Sequence, residues 1–76
     1  MATFTVRQGR RYRATIALGL LERVASNEMI AEQLRTAGFS EVSVAGSGAV
    51  RIAQALWPAA DATAEMPKQI TEVVEI

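Results

Sequence analysis

Twenty residues in the middle of the chain, FSEVSVAGSGAVRIAQALWP (39–58), constrain the fold more than any other segment. Val42 and Val44 alternate with Glu41 and Ser43, GSG offers a tight connection, and Val50, Ile52 and Leu56 resume the alternation. Period-2 patterning on both sides of a glycine turn predicts a β-hairpin. Pro58 stops it, because proline has no N–H to give to a ladder. With GSG as the turn, the valines, Ile52 and Leu56 share one face. That face needs a cover.

A second strand is written just as clearly. Tyr12, Ala14, Ile16 and Leu18 fall on one side of the segment 11–18, and Arg11, Arg13, Thr15 and Ala17 on the other. Before it, Phe4 and Val6 suggest a short strand, either hairpinned through Gly9 or continuous with the next strand after a bulge. Gly19 ends the strand. LLERVASNEMIAEQLRTAG then groups Leu20, Val24, Ile30, Ala31, Leu34 and Ala37 on one side at helical spacing, and Gly38 stands at the C-terminal cap. This predicts one helix over about 20–37. Ser26 and Asn27, both good N-cap residues, mark an alternative start. AADATAEMP reads as a connector or weak edge strand. QITEVVEI reads as a last strand with Ile70, Val74 and Ile76 inward.

The order β-α-β-β-β, with an optional first strand, predicts a single small α+β domain over residues 1–76. One helix would pack on a mainly antiparallel sheet of three to five strands, a two-layer sandwich like a ferredoxin-like fragment. The expected core is Tyr12, Ile16, Leu18, Val42, Val44, Val50, Ile52 and Leu56 against the helix.

Size limits what such a sandwich can do alone. With 76 residues, a chain buries only about 60% of its unfolded surface. It has no cysteine and no histidine, so disulfides and thiolate or imidazole metal ligands are excluded. Association with another copy is the remaining means of stabilisation, and a composition 50% hydrophobic supports it. With net charge zero, a strong overall field for polyanions or membranes is not expected.

With one helix available, the other face of the sheet is expected to be uncovered: Arg11, Arg13, Thr15 and Ala17 on one strand, Ser43 and Ala45 on the next, and Arg51, Ala53, Ala55 and Trp57 on the third. Alanines allow close approach of another surface, and tryptophan is a frequent interface anchor. On the helix, Ala25 and Met29 lie away from the core stripe and suggest a helix-mediated contact between subunits. The basic stretch RQGRRYR is balanced by acids at the other end of the chain. Pairing of the first long strand with the last would set Arg11 or Arg13 across from Glu72 or Glu75, within one chain or between two. The candidate interface is therefore Arg11, Arg13, Ala17, Ala25, Met29, Arg51, Ala53, Ala55, Trp57, Glu72 and Glu75.

The sequence offers little catalytic chemistry. No nucleophile–base pair forms without Cys or His, apart from Ser or Thr with Lys68. AGSGAV lacks the third glycine of a dinucleotide fingerprint and the lysine of a P-loop. Glu28 and Glu32 at helical spacing read as a solvated rim, and no cofactor or metal is implied. No stretch reaches the ~20 apolar residues of a membrane span, and no signal peptide is evident, so a cytoplasmic protein is expected.

IAEQLRTAGFSEVSV (30–44) resembles the helix-to-strand passage of small ferredoxin-like modules, among them the peptidoglycan-binding SPOR domains. Those domains repeat β-α-β, and the second helix is missing here, so no binding residue carries over. The expected function is a non-enzymatic scaffold that self-associates into a homo-oligomer; outward alanines would also suit a sequence redesigned for assembly. The alternative is a binding module presenting an Arg/Trp sheet face to an anionic partner such as single-stranded nucleic acid or a cell-wall glycan.

Overall fold

A computed structural model describes residues 3–76. The elements are β1 (Thr3–Val6), β2 (Arg10–Ala17), a 3-10 turn (Glu22–Val24), α1 (Asn27–Thr36), β3 (Ser40–Ser47), β4 (Val50–Trp57), β5 (Ala62–Glu65) and β6 (Ile70–Glu75). The class is α+β, but the strands form two antiparallel sheets rather than one: four strands in the order β3-β4-β2-β6, and a separate β1-β5 ribbon. Neither alternative for the first strand is realised: β1 does not form a hairpin with β2 and is not continuous with it. Strand β2 pairs on one edge with β4 and on the other with β6. Both its ladders are taken, so β1 finds its partner in β5, with Phe4 opposite Ala64 and Val6 opposite Ala62.

The hairpin β3–β4 forms as expected, but its turn is not GSG. Ser47 pairs with Val50, so the connection is the two residues Gly48 and Ala49. Gly48 has φ +70° while Ala49 does not enter positive φ, the pattern a type II′ hairpin turn requires. Directly opposed residues share a face, so Val44 pairs with Ala53, and Gly46 with Arg51. Moving the turn by one residue reverses every side chain of β4 relative to expectation. Arg51, Ala53, Ala55 and Trp57 face α1; Val50, Ile52 and Leu56 face away.

The last strand is also re-phased. Thr15 pairs with Glu72 and Ile16 with Ile70, leaving Thr71 as a bulge. Ile70 and Val73 thus lie on the side of Ile16 and Ala14, whereas Val74, expected inward, lies opposite Arg13 on the other face.

The helix starts after Ser26, not near Leu20. Ser26 Oγ accepts from Met29 N–H at 3.1 Å, the N-cap bond of a new helix. The carbonyls of Arg23 and Ala25 are taken by the Arg51 guanidinium at 3.1 and 3.0 Å, so a continuous helix cannot use them. Leu20 and Val24, expected in the core stripe, are 76% and 90% exposed. At the other end Phe39 N–H reaches Leu34 O at 3.1 Å and Gly38 N–H reaches Arg35 O at 3.0 Å, the paired bonds of a Schellman cap.

The core is built from Val6, Tyr12, Ile16, Ala31, Ala53 and Ala55, and no side chain in it falls below 2% exposure. Ala53 and Ala55 of β4 and Ala31 of α1 are its small members. The β1-β5 ribbon covers the far end of the same face, where Phe4 and Thr5 line a cleft with Tyr12 and Val73.

The turn geometry gives a graded prediction. At Gly48 a Cβ meets nothing within 4 Å, so Gly48→Ala carries only the positive-φ strain, about 1 kcal/mol. At Gly46, φ +102°, a Cβ would stand 2.8 Å from Val50 O. Gly46→Ala is expected to destabilise by more, at least ~2 kcal/mol, measured by urea denaturation of both variants.

Candidate interaction surfaces

The face of the four-stranded sheet turned away from α1 is the larger candidate. Strand β2 contributes Arg11, Arg13, Thr15 and Ala17, with Val50, Ile52, Gln54 and Leu56 beside them on β4. On the outer strands lie Ser43 and Ala45 of β3, and Glu72 and Val74 of β6. Ile76 closes the row, its N–H bonded to Arg11 O at 2.9 Å. Val50 and Ile76 are 55% and 50% exposed, and Ile52, Leu56 and Val74 are half-buried. Among the described residues α1, the 3-10 turn and the ribbon all lie on the opposite side, so no element covers this face.

Four residues expected on it are elsewhere. Arg51, Ala53 and Ala55 are buried to 4%, 2% and 5% exposure, beneath the helical layer. Trp57 is half-buried on that side too. Its ring meets Phe39 edge-on at 4.9 Å, its indole N–H donates to Ala60 O at 2.8 Å, and it lies so close to Gly38 that a Cβ there would stand 3.1 Å from the ring. The uncovered face is consequently not rich in alanine; it carries larger aliphatic side chains. Arg11, Arg13 and Ala17 are where the alternation of their strand placed them, and Glu72 reaches the same face through the bulge in β6.

The first long strand does pair with the last, as expected, but not charge against charge. Tyr12 faces Glu75, Arg13 faces Val74 and Thr15 faces Glu72. The ion pair observed is Arg11 with Glu41 at 3.5 Å, both exposed, a contact of small energetic value. Arg13 makes no ion pair among the described residues.

Arg51, read as a surface residue, turns out to be a clamp. Its guanidinium donates to Gly48 O (3.1 Å), Ala25 O (3.0 Å), Asn27 Oδ1 (2.7 Å) and Arg23 O (3.1 Å). All four acceptors are neutral. Asn27 completes the link by donating to Gly46 O at 3.0 Å. The hairpin turn and the junction before α1 are thereby held together without a counterion. Sequence alternation gave no sign of this role; the only available clue was an arginine within reach of a turn and a helix start.

The second candidate is a groove of about 590 Å³ beside α1. Ile16, Leu18 and Ile70 form its floor, with Leu21 and Val24 at one end and Met29, Ile30 and Gln33 along its wall. Ala25 and Met29, singled out from the sequence, do border it. The 3-10 turn at its end is tied down by Glu22, whose carboxylate accepts from Gln69 Nε2 and Gly19 N–H, each at 2.8 Å. The Gln69 bond first, then the Gly19 bond, hold this carboxyl below its ordinary range.

Among the described residues no group of three His, Cys, Asp or Glu side chains could hold a metal ion. No helix among them is long and apolar enough to cross a membrane.

Two outcomes follow from these contacts. Arg51→Met removes every donor of the clamp and leaves buried acceptors unpaired; a loss of about 3–5 kcal/mol is expected, the range for removing one member of a buried charged contact, read by chemical denaturation. For Glu22 the folded pKa is depressed, so its contribution is present above the unfolded carboxylate pKa and is lost as pH falls through the folded value. The carboxyl chemical shift of Glu22 is therefore expected to titrate at lower pH in the native protein than in urea, and Gln69→Ala should move it back upward.

Comparison with protein-family models, curated proteins and solved structures returned no match, so the functional reading rests on this chain's own surfaces.

Proposed function

We propose that the chain is a non-enzymatic structural module that self-associates, burying the open face of its four-stranded sheet against a second copy. The observation that carries this reading is the row of Val50, Ile52, Leu56, Val74 and Ile76 on a face that no described element covers. Burying a large aliphatic side chain contributes about 1.5–3 kcal/mol, and two sheets pack face to face at about 10 Å.

Charge on the same face favours a copy of itself over a polyanion. Arg11 and Arg13 run along β2, while Glu72 sits on β6 and Glu41 pairs with Arg11. A second copy rotated over the first brings opposite charges as well as apolar side chains. The anionic-partner reading has less support: Trp57, the ring that would stack on a base or sugar, lies on the other side of the sheet from Arg11 and Arg13.

Light scattering after size exclusion, at low and high salt, tests the reading. A discrete multiple of 8.2 kDa is expected at tens of micromolar, and Ile52→Lys should reduce it while preserving the circular dichroism spectrum. A wild-type monomer at both salt concentrations would sink the proposal.

A further inference from the structure

The cleft between the β1-β5 ribbon and the last strand has a volume of about 730 Å³, inside the roughly 300–1,000 Å³ range of small-molecule sites. Phe4, Met66 and Val73 give it an apolar lining, and Arg7 and Glu75 bring opposite charges to it. The two charges do not meet. Among the described residues the ion pairs are Arg11 with Glu41 and Arg35 with Glu28 and Glu32. Arg7 and Glu75 thus line one cleft, each without a counterion.

Two further groups belong to the same space. Tyr12 is buried to 7% exposure, and its Oη accepts from Arg7 N–H at 2.6 Å. Its own hydroxyl hydrogen finds no acceptor among the described residues, and the residue lines the cleft. The second group is the free edge of β6, whose one neighbour in the sheet is β2. Ile76 N–H donates to Arg11 O, which sets the phase of the ladder beyond the bulge. Even-numbered residues of β6 exchange bonds with odd-numbered residues of β2. The N–H and C=O of Val73 and Glu75 are therefore directed away from β2, at the two residues of β6 that line the cleft.

We infer that the cleft binds a short zwitterionic peptide, of dipeptide size, laid beside β6. Its carboxylate meets the Arg7 guanidinium, with the Tyr12 hydroxyl as a second donor, and its amino group meets the Glu75 carboxylate. Both are charge-assisted contacts. Its peptide group pairs with the open backbone of β6, as in strand addition to a sheet edge, and its side chains rest on Phe4, Met66 and Val73. A simple anion or a simple cation would satisfy one of the two charges and be repelled by the other. A molecule carrying both on an apolar body suits both. The cleft is on the helical side of the four-stranded sheet, opposite the face assigned to self-association, so the inference holds for monomer and oligomer alike.

Leucyl-leucine is the probe, titrated into the isotopically labelled protein. Saturable shifts of the Val73 and Glu75 amide resonances are expected, with a Kd of ~1 mM or tighter. N-acetyl-leucyl-leucine lacks the amine and leucyl-leucinamide lacks the carboxylate. Each should bind at least ~10-fold more weakly, the scale for losing one charged hydrogen bond. Glu75→Gln should erase the discrimination against the acetylated peptide alone, and Arg7→Gln the discrimination against the amide alone. Both residues are exposed, so the circular dichroism spectrum is expected to be unchanged. Equal affinity for the parent peptide and both capped forms would overturn the inference, as would no shift at ~10 mM. Free leucine binding as tightly as leucyl-leucine would overturn the peptide as ligand.

Discussion

The two-residue turn at Gly48 and Ala49 sets the phase on which the rest of the molecule depends. Because Ser47 pairs with Val50, every odd-numbered residue of β4 from Arg51 to Trp57 is directed under the helix and every even-numbered one away from it. Close packing of α1 follows from the alanines this selects: Ala53 and Ala55 are among the most buried residues of the chain. A turn one residue longer would present Ile52 and Leu56 to α1, and the layer spacing would have to grow. The same phase leaves β4's large aliphatic side chains on the uncovered side. A small core and an apolar outer face are thus two consequences of one turn.

That phase also explains why a charged residue is buried. Arg51 comes under the junction before α1, where the 3-10 turn and the helix N-cap leave carbonyl groups without N–H partners. A guanidinium has five donors in a planar fork and does not lose its charge at physiological pH. It meets acceptors from residues 23, 25, 27 and 48 at once. Burying the ion carries a desolvation cost, which these neutral bonds offset, and no carboxylate is needed. Glu22 and Gln69 fasten the other end of the same segment to β6. Between the two anchors Leu20, Leu21 and Val24 are held out in solvent, because the backbone bonds that fix the segment are satisfied without them.

The sequence was legible where local rules operate alone. The alternation of Tyr12, Ala14, Ile16 and Leu18 placed β2 and its faces correctly, and valines flanking a glycine turn placed the β3–β4 hairpin. Gly38 marked the helix end, and Ser26 marked its start as one of two options. What could not be read was parity across connections. Whether GSG or Gly48-Ala49 is the turn changes no propensity appreciably, yet it reverses a strand. The bulge at Thr71 does the same to β6, moving Val74 outward. The first strand's partner was hidden for a different reason: β5 is the weak segment ATAE, and only the saturation of both edges of β2 sends β1 to it. Of the expected interface, Arg11, Arg13, Ala17 and Glu72 stay on the open face and Met29 borders the groove, whereas Arg51, Ala53 and Ala55 became interior when β4 turned over.

Two surfaces, each incompletely covered, now stand on opposite sides of one thin sheet. In a two-layer sandwich of ordinary size, helices would close one side and polar residues would solvate the other. Here a single ten-residue helix and a short ribbon close part of one side, and aliphatic side chains occupy the other. A chain without cysteine or histidine has no disulfide, thiolate or imidazole link with which to compensate. In the self-association proposed above, additional apolar burial comes from outside the chain, and a rigid surface already formed costs the least entropy to bury. Under the proposed self-association a second copy supplies such a surface, with Arg13 and Glu72 of the open sheet face available to meet their opposites.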